Sequence, residues 1–567
     1  MSDEAPISSP ATMEYPWRMR WVWLILLIAA TAIAWRLVHL NFTERSFLMR
    51  QGDARMVREV AIPAHRGMIL DRRGEPLAVS APVVSLWANP QVLGEDLAQA
   101  KGLAQALGLP EVDFLARLNR LRNKEFMYLK RHVNPAQAKD VLDQKWLGVH
   151  GRQEFHRYYP AAEVATHLVG FNNVDDQGQE GLELAYESWL QGSAGAKVVQ
   201  KDRTGRTVKD LKLIENAQPG KDLTLSIDLR MQYVAYRELK AVVQQHNASS
   251  GSAVVLDVQT GEVLAMVNQP SYNPNNRAVM SIDSLRNRAM TDILEPGSTM
   301  KPVTIAAALM SGQYDPDSKV DTSPGFIKVK RKTIRDHRNY GVLDITGIIT
   351  KSSNVGVTKL ALSLPENSVR ETFYSFGLGQ ATASGFPGES VGVLPSYAKW
   401  NPINLATMSY GYGIAVTPVQ LAQAYAVFAS YGLKRPISLL KQDTVPEAER
   451  VMPEHVAKQV IAMLETVTQR GGTGTRARVS SYRVAGKTGT VHKPSKDGGY
   501  DDDRYAAVFA GLAPATNPRL VCVVIVDEPK GEQYYGGEVA APVFSRIMAE
   551  SLRLLNVAPD DLVPTQG

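Results

Sequence analysis

The sequence predicts an α+β fold: an antiparallel sheet flanked by helices, with a helical subdomain beside it. It is preceded by a mixed N-terminal module and one transmembrane helix. Three observations predict this. Strand-like alternation marks both ends of the second half of the chain, with about 200 residues of mainly helical pattern between them. An apolar run of about twenty residues stands near the N-terminus, the length a bilayer demands. Residues 41–220 alternate strand-like and helix-like pieces with Gly and Pro breaks. At 567 residues the chain is also too long for one ordinary domain.

The apolar run extends from Trp21 to Trp35 and, past Arg36, to Leu40. Trp at both ends suits the two membrane interfaces. No small-residue cleavage site follows, and the run is long for a signal peptide. Arg18 and Arg20 precede it, while Arg45, Arg50 and Arg55 follow, so charge alone leaves its orientation open. In residues 41–220, VREVAIP reads as a strand and EDLAQAKGLAQALGL as a helix. RGMILDRRGEPLA (Arg66 to Ala78) reads as two strands about a turn at Arg73-Gly74. No catalytic constellation stands out there, so a structural or partner-binding module is expected.

Near Pro219-Gly220 the pattern changes. KDLTLSIDLRMQYVAYRELKAVVQQH reads as a short strand and a long amphipathic helix, and SAVVLDVQTGEVLAMVN as a hairpin about Thr260-Gly261. YRVAGKTGT, YAAVFAGLAPA and RLVCVVIVDEP supply three late strands, and FSRIMAESLRLLNV a closing helix. A sheet completed from both ends of this region, with helices between, leaves a cleft for chemistry.

The composition excludes several classes. The net charge of +6 is small for 63 basic and 57 acidic residues, and no Lys/Arg run is interleaved with aromatics, so a nucleic acid partner is not expected. Cys522 is alone, so no internal disulfide forms; in LVCVVIV it reads as a buried thiol. The ten histidines form no HExxH or Cys/His cluster, so no metal is expected, and no other cofactor either.

In EPGSTMKP, Ser298 and Lys301 stand three residues apart, on one face of a helix. The four-residue pattern is weak alone, since it recurs at Ser396–Lys399 and Ser438–Lys441. Only Ser298 is followed by KSSNVG, with Ser352 and Asn354, and then by GKTGT, with Lys487, Thr488, Gly489 and Thr490. A serine hydroxyl needs a base to become a nucleophile. Lys301 serves only when neutral, about 3 units below the lysine value of about 10.4, which costs about 4 kcal/mol. Burial and a like charge from Lys487 are the available means. Ser352 is suited to relay a proton, and Asn354 to hold Lys301 or a substrate amide. Gly489 leaves a strand edge open for a substrate backbone. Amides of Ser298 and Thr490 would form an oxyanion hole worth about 3 kcal/mol, and Lys487, Thr488 and Thr490 would bind a terminal carboxylate.

This ordered series is shared by active-site serine β-lactamases and penicillin-binding proteins; here the second member reads Ser-Ser-Asn. The chain resembles the class B penicillin-binding proteins, most closely the septal transpeptidases of the FtsI type. RGMILDRRGEPLAVSAPVVSLWANP, HLVGFNNVDDQGQEGLE, KDRTGR, SYGYGIAVTPVQLA and YYGGEVAAPVFSRIM carry the likeness beyond the three motifs.

The resemblance implies a peptidoglycan D,D-transpeptidase on a penicillin-binding, serine β-lactamase-like domain at 221–567. An elongated pedestal or dimerisation-like module at 41–220, a transmembrane helix at 21–40 and a cytoplasmic tail at 1–20 would precede it. Ser298 would attack the D-Ala-D-Ala bond of a stem peptide, release D-Ala and pass the acyl group to an amine of a neighbouring stem; β-lactams would acylate the same serine. Tyr410, Tyr412, Tyr534 and Tyr535 would line the cleft. Implied partners are a SEDS-family glycosyltransferase and other division proteins. The implied location is the bacterial inner membrane at the septum, single-pass, with the catalytic domain periplasmic. A β-lactamase is disfavoured for want of a water-activating acid between the second and third motifs. A D,D-carboxypeptidase and a non-catalytic division scaffold are the alternatives.

Overall fold

The computed structural model describes residues 16–202, 207–396, 401–495 and 498–562. Most of the expected tail, part of KDRTGR and part of the decoy at 396–399 lie outside the described residues. Contacts divide the chain into two units, one of residues 1–63, 84–153 and 194–217 and one of residues 64–83, 154–193 and 218–567.

In the first unit, helix Pro16–Val38 exposes every side chain from Trp17 onward. A helix apolar all round and covered by nothing is suited to lipid, and this one is long and apolar enough to cross a membrane once. It starts before the expected Trp21. Three antiparallel strands follow in the order Val57–Ile62, Gly195–Lys201, Thr207–Glu215. The helix expected in EDLAQAKGLAQALGL spans Leu97–Leu107, capped by Asp96 and ended by a left-handed Gly108. Its apolar face packs with Phe114, Leu118, Met127 and Leu129.

In the second unit, the turn expected in RGMILDRRGE forms between Ile69–Leu70 and Pro76 onward, with Asp71 Oδ1 accepting from the amides of Arg73 and Glu75. Arg66 lies fully buried and donates to Glu183 and Glu187. Arg157 donates to the other Glu183 oxygen. Two of the stretches that carry the resemblance are thus joined by one desolvated ion cluster, which breaks at a high cost if a member is lost.

The elements that build the rest of this unit are, in chain order, α1 Leu229–Gln245, β1 Ser250–Asp257, β2 Val263–Gln269, α2 Lys301–Met310, β3 Phe326–Val329, β4 Lys332–Arg335, α3 Ile345–Thr350 and α4 Asn354–Ser363. Then come α5 Pro418–Ala429, α6 Glu454–Thr468, β5 Ala485–Pro494, β6 Tyr500–Ala513, β7 Leu520–Asp527 and α7 Gly536–Leu554. The sheet runs β2–β1–β7–β6–β5, antiparallel throughout, so the early hairpin and the three late strands meet as the sequence predicts. Cys522, opposite Gly511 and Val255, is fully buried.

β1, β2 and most of β7 are buried at every position because both faces are covered. Helices α1 and α7 pack on one face with Leu239, Phe509, Phe544 and Ile547. The helical subdomain covers the other with Val303, Ile348, Leu360 and Tyr425. The hairpin β3–β4 interrupts the middle region that reads as helical in sequence. Its strands are four residues each, too short for an alternating pattern to register.

Candidate active site

The segment EPGSTMKP does not enter an α-helix directly. Gly297–Met300 forms a 3₁₀ turn, and α2 begins at Lys301 with Pro302 in its first turn. Residues three apart eclipse in 3₁₀ winding, so Ser298 and Lys301 still share a face. The turn is clamped from two sides. Tyr425, buried in α5, donates to the Thr299 carbonyl at 2.9 Å, and the Gly297 amide donates to the Gly411 carbonyl at 3.1 Å.

The third clamp is β5. A Cβ at Gly489 would come within 3.1 Å of Thr299 Cγ2 and 3.2 Å of the Pro296 carbonyl. A Cβ at Gly297, where φ is +55°, would strike Val491. The structure therefore supplies a reason for Gly489 beyond an open strand edge: the serine turn itself presses against it. β5 is also an edge strand, which leaves one row of its backbone groups without a sheet partner.

Lys301 is fully buried, and its Nζ donates to the Ser352 carbonyl at 2.5 Å and to Ser352 Oγ at 3.0 Å. The contact expected between Lys301 and Ser298 is not the one formed, because Ser352 presents two acceptors to the amine. Ser352 can do so through an unusual backbone. α3 ends at Thr350 with Lys351 as its C-cap; the Ser352 amide donates to Ile349 O at 3.2 Å and the Ser353 amide to Ile348 O at 2.9 Å. These are the two bonds of a Schellman motif, whose left-handed position normally belongs to glycine. Here Ser352 occupies it, with φ +57°.

Asn354 opens α4. Its Nδ2 donates to the Arg335 carbonyl at 3.0 Å rather than reaching Lys301. Lys487, fully buried on β5, turns toward the same interior and donates to the Thr488 carbonyl at 3.2 Å. Burial, and after it the like charge of Lys487, hold the Lys301 amine well below the usual lysine range, against the pull of Asp336. Burial brings Lys487 to about 7. Both means anticipated for neutralising Lys301 are therefore present.

Thr488 Oγ1 and Thr473 Oγ1 lie 2.7 Å apart, and Thr490 Oγ1 accepts from the Gly536 amide at 3.0 Å, which ties β5 to the start of α7. Tyr534 and Tyr535 precede that helix, and the Tyr534 ring stacks on Tyr505 at 4.3 Å and on Tyr535 at 4.5 Å between centroids. Tyr410 is buried and Tyr412 half-buried, their rings 5.6 Å apart on either side of Gly411. They build the wall behind the serine turn. Sequence reasoning missed Asp336, Thr473, Glu295 and Tyr500. Glu295 Oε1 accepts from the Gly413 amide at 2.7 Å and from Tyr500 Oη at 3.1 Å. Glu295 adjoins the Ser-x-x-Lys motif, which was the available signal.

The chain is similar to known proteins. Residues 251–549 match the penicillin-binding protein transpeptidase domain, and residues 61–225 the penicillin-binding protein dimerisation domain. The chain is 44% identical over 551 residues to peptidoglycan D,D-transpeptidase FtsI of Escherichia coli K12, covering 96% of this chain and 93% of that one. It is 40% identical over 551 residues to the FtsI of Buchnera aphidicola from Schizaphis graminum, covering 96% of each. Among solved structures, the transpeptidase domain of penicillin-binding protein 3 from Burkholderia pseudomallei is 42% identical, with a TM-score of 0.55 over 59% of this chain and 97% of that chain. Penicillin-binding protein 3 of Mycobacterium tuberculosis, solved with aztreonam, is 28% identical, with a TM-score of 0.69 over 89% of this chain and 99% of that chain.

Proposed function

This chain belongs to the class B penicillin-binding proteins, and from that premise we propose that it is a peptidoglycan D,D-transpeptidase acting through an acyl-enzyme on Ser298. The observation that carries the reading is the buried, depressed amine of Lys301, held between the serine turn and Ser352. In the neutral state it takes the proton of the Ser298 hydroxyl as Oγ bonds to the carbonyl carbon of the penultimate D-Ala. Collapse of the adduct breaks the D-Ala-D-Ala bond, and the proton passes by way of Ser352 to the leaving amine. An amine of a second stem peptide then attacks the ester, yields its proton by the same route and regenerates Ser298. Backbone N–H groups of Ser298 and Thr490 serve the oxyanion. Lys487, Thr488 and Thr490 receive the terminal carboxylate, with Tyr534 and Tyr535 beside it and Tyr410 and Tyr412 backing the turn. β-Lactams acylate the same serine.

Asn354 orients the motif and the substrate amide. Both oxygens of Asp336 are engaged by protein donors, which supports passage of the acyl group to an amine over activation of water by that carboxylate. Mixing the enzyme with a D-Ala-D-Ala stem peptide and an amine acceptor tests this. Cross-linked product is expected to exceed hydrolysed donor; hydrolysis alone, unaffected by the acceptor, would make the protein a D,D-carboxypeptidase.

The left-handed backbone of Ser352 yields a second prediction. A non-glycine residue there costs about 1–2 kcal/mol, so Ser352→Gly is expected to unfold at or above the wild-type temperature. Its acylation rate is expected to fall about 10²–10⁴-fold, since the relay hydroxyl is gone. Calorimetry beside penicillin acylation reads both; undiminished acylation would remove Ser352 from the relay.

The reading extends to the cell. The tail 1–20 lies in the cytoplasm, 21–40 spans the inner membrane once, 41–220 is the pedestal and 221–567 the periplasmic transpeptidase, working at the division septum. A SEDS-family glycosyltransferase and other division proteins dock on the pedestal. Strand Thr207–Glu215 supports this, being an edge strand exposed along its length with Val208, Leu211, Leu213 and Ile214 uncovered.

A further inference from the structure

The loop after β4 reaches the second motif from outside it. Asp336 Oδ1 accepts from the amides of Asn354 (2.5 Å) and Val355 (3.0 Å), and its Oδ2 accepts from Ser353 Oγ at 2.6 Å. Beside it, the Arg335 carbonyl accepts from Asn354 Nδ2. Four donors on three successive residues are therefore held by two successive residues of another segment. Helix capping alone does not require this, because Ser353 is already the N-cap and accepts from the Gly356 amide at 2.8 Å.

We propose that Asp336 is a positioning residue for the acyl transfer: its carboxylate clasps the first turn of α4 and thereby holds Ser352 against Lys301. The inference rests on the transpeptidase reading above. A left-handed serine costs about 1–2 kcal/mol and persists only where its surroundings over-determine it. On the α3 side, the two Schellman bonds do so. On the α4 side, the next residue is fixed at its hydroxyl and the two after it at their amides, all by one carboxylate. Without that clasp the chain after Ser352 is free to leave the left-handed well, which turns its hydroxyl and carbonyl off Lys301 Nζ.

Asp336 also acts through its charge. The charged groups that bear on Lys301 are Lys487 from β5 and Asp336 from the β4–α3 loop, with opposite signs. Asp336 in turn bears on the Tyr340 phenol, with Arg338 beside that ring. An anion near Lys301 favours its protonated form, so removing the charge lowers the pH at which the amine becomes neutral.

The experiment compares wild type, Asp336→Ala, Asp336→Asn and Ser298→Ala in the rate of acylation by a fluorescent penicillin from pH 5 to 9, beside thermal unfolding. Asp336→Ala removes the clasp and is expected to acylate at least 30-fold more slowly. Asp336→Asn keeps an oxygen for the two amides and a donor for Ser353 Oγ. It is expected to fold as wild type, to lose less than tenfold at the plateau, and to shift the rising limb of the pH profile to lower pH. A merely structural residue would not move that limb. Wild-type acylation by Asp336→Ala, or an unmoved limb in a folded Asp336→Asn, overturns the inference while leaving the transpeptidase reading intact. Failure of wild type to acylate at Ser298 overturns both.

Discussion

Ser298→Ala is expected to lose covalent labelling by a fluorescent penicillin altogether, with acylation down by about 10⁶-fold, the scale seen when a serine nucleophile is removed from a catalytic set. Every other motif residue stays in place in this variant, so the loss isolates bond formation at Oγ. Folding is not at risk. Among the described residues no hydrogen bond engages the Ser298 hydroxyl, and the turn is held by backbone and by Tyr425 instead. The unfolding temperature should therefore match wild type, and non-covalent retention of the penicillin should persist because Lys487, Thr488 and Thr490 are untouched. Mass spectrometry of the denatured protein separates the two: an adduct on wild type, none on the variant. Equal adduct on both would take the nucleophile away from Ser298.

The sequence makes the parts of this site legible where chemistry is written in residue type and order. Ser298, Lys301, Ser352, Asn354 and Lys487 stand out because no other combination in the sequence offers residue types suited to nucleophile, base and relay in that order. The sheet is legible because its buried strands are long apolar runs, as in LVCVVIV and SAVVLDV. Other features depend on tertiary placement. Asp336 sits in a stretch of mixed charge, TIRDHRNYG, where nothing local separates a clasp from a solvated loop. The left-handed backbone at Ser352 runs against propensity, since a glycine is what a Schellman motif ordinarily announces. Local preference is overridden there by a tertiary contact, the hydrogen bond of the Ser352 hydroxyl with Lys301 Nζ. The tyrosines of SYGYG are legible as aromatic, but burial of Tyr410 behind Gly411 follows from how close Gly411 comes to Gly297, which no periodicity encodes.

Lys301→Met carries the second large effect, and it separates activity from stability in opposite directions. Removal of the proton acceptor is expected to slow acylation about 10²–10⁴-fold. The pH profile should change with it. In wild type the rate is expected to rise with pH through the depressed value of Lys301 if its neutral amine accepts the hydroxyl proton; in the Met variant that rising limb should disappear.

Stability moves the other way. A lysine whose native pKa lies below its unfolded value binds more protons in the unfolded chain between the two values, so stability falls as pH falls through that window and is flat beneath it. For Lys487, taken from 10.5 to about 7 by burial, the cost at neutral pH is roughly 5 kcal/mol. Lys301 is likewise held well below the usual lysine range, with a cost in the same direction. Met fills similar volume without charge and forfeits the bonds to the Ser352 carbonyl and Oγ, each worth about 0.5–1.5 kcal/mol. Relief of the buried amine exceeds that loss, so Lys301→Met should unfold at a higher temperature than wild type at pH 7. The advantage should shrink toward pH 10, where the unfolded lysine also loses its proton. A variant that keeps the rising limb would move the base to another residue. One that melts below wild type at pH 7 would show that the Lys301 amine is not held neutral at a cost to the fold.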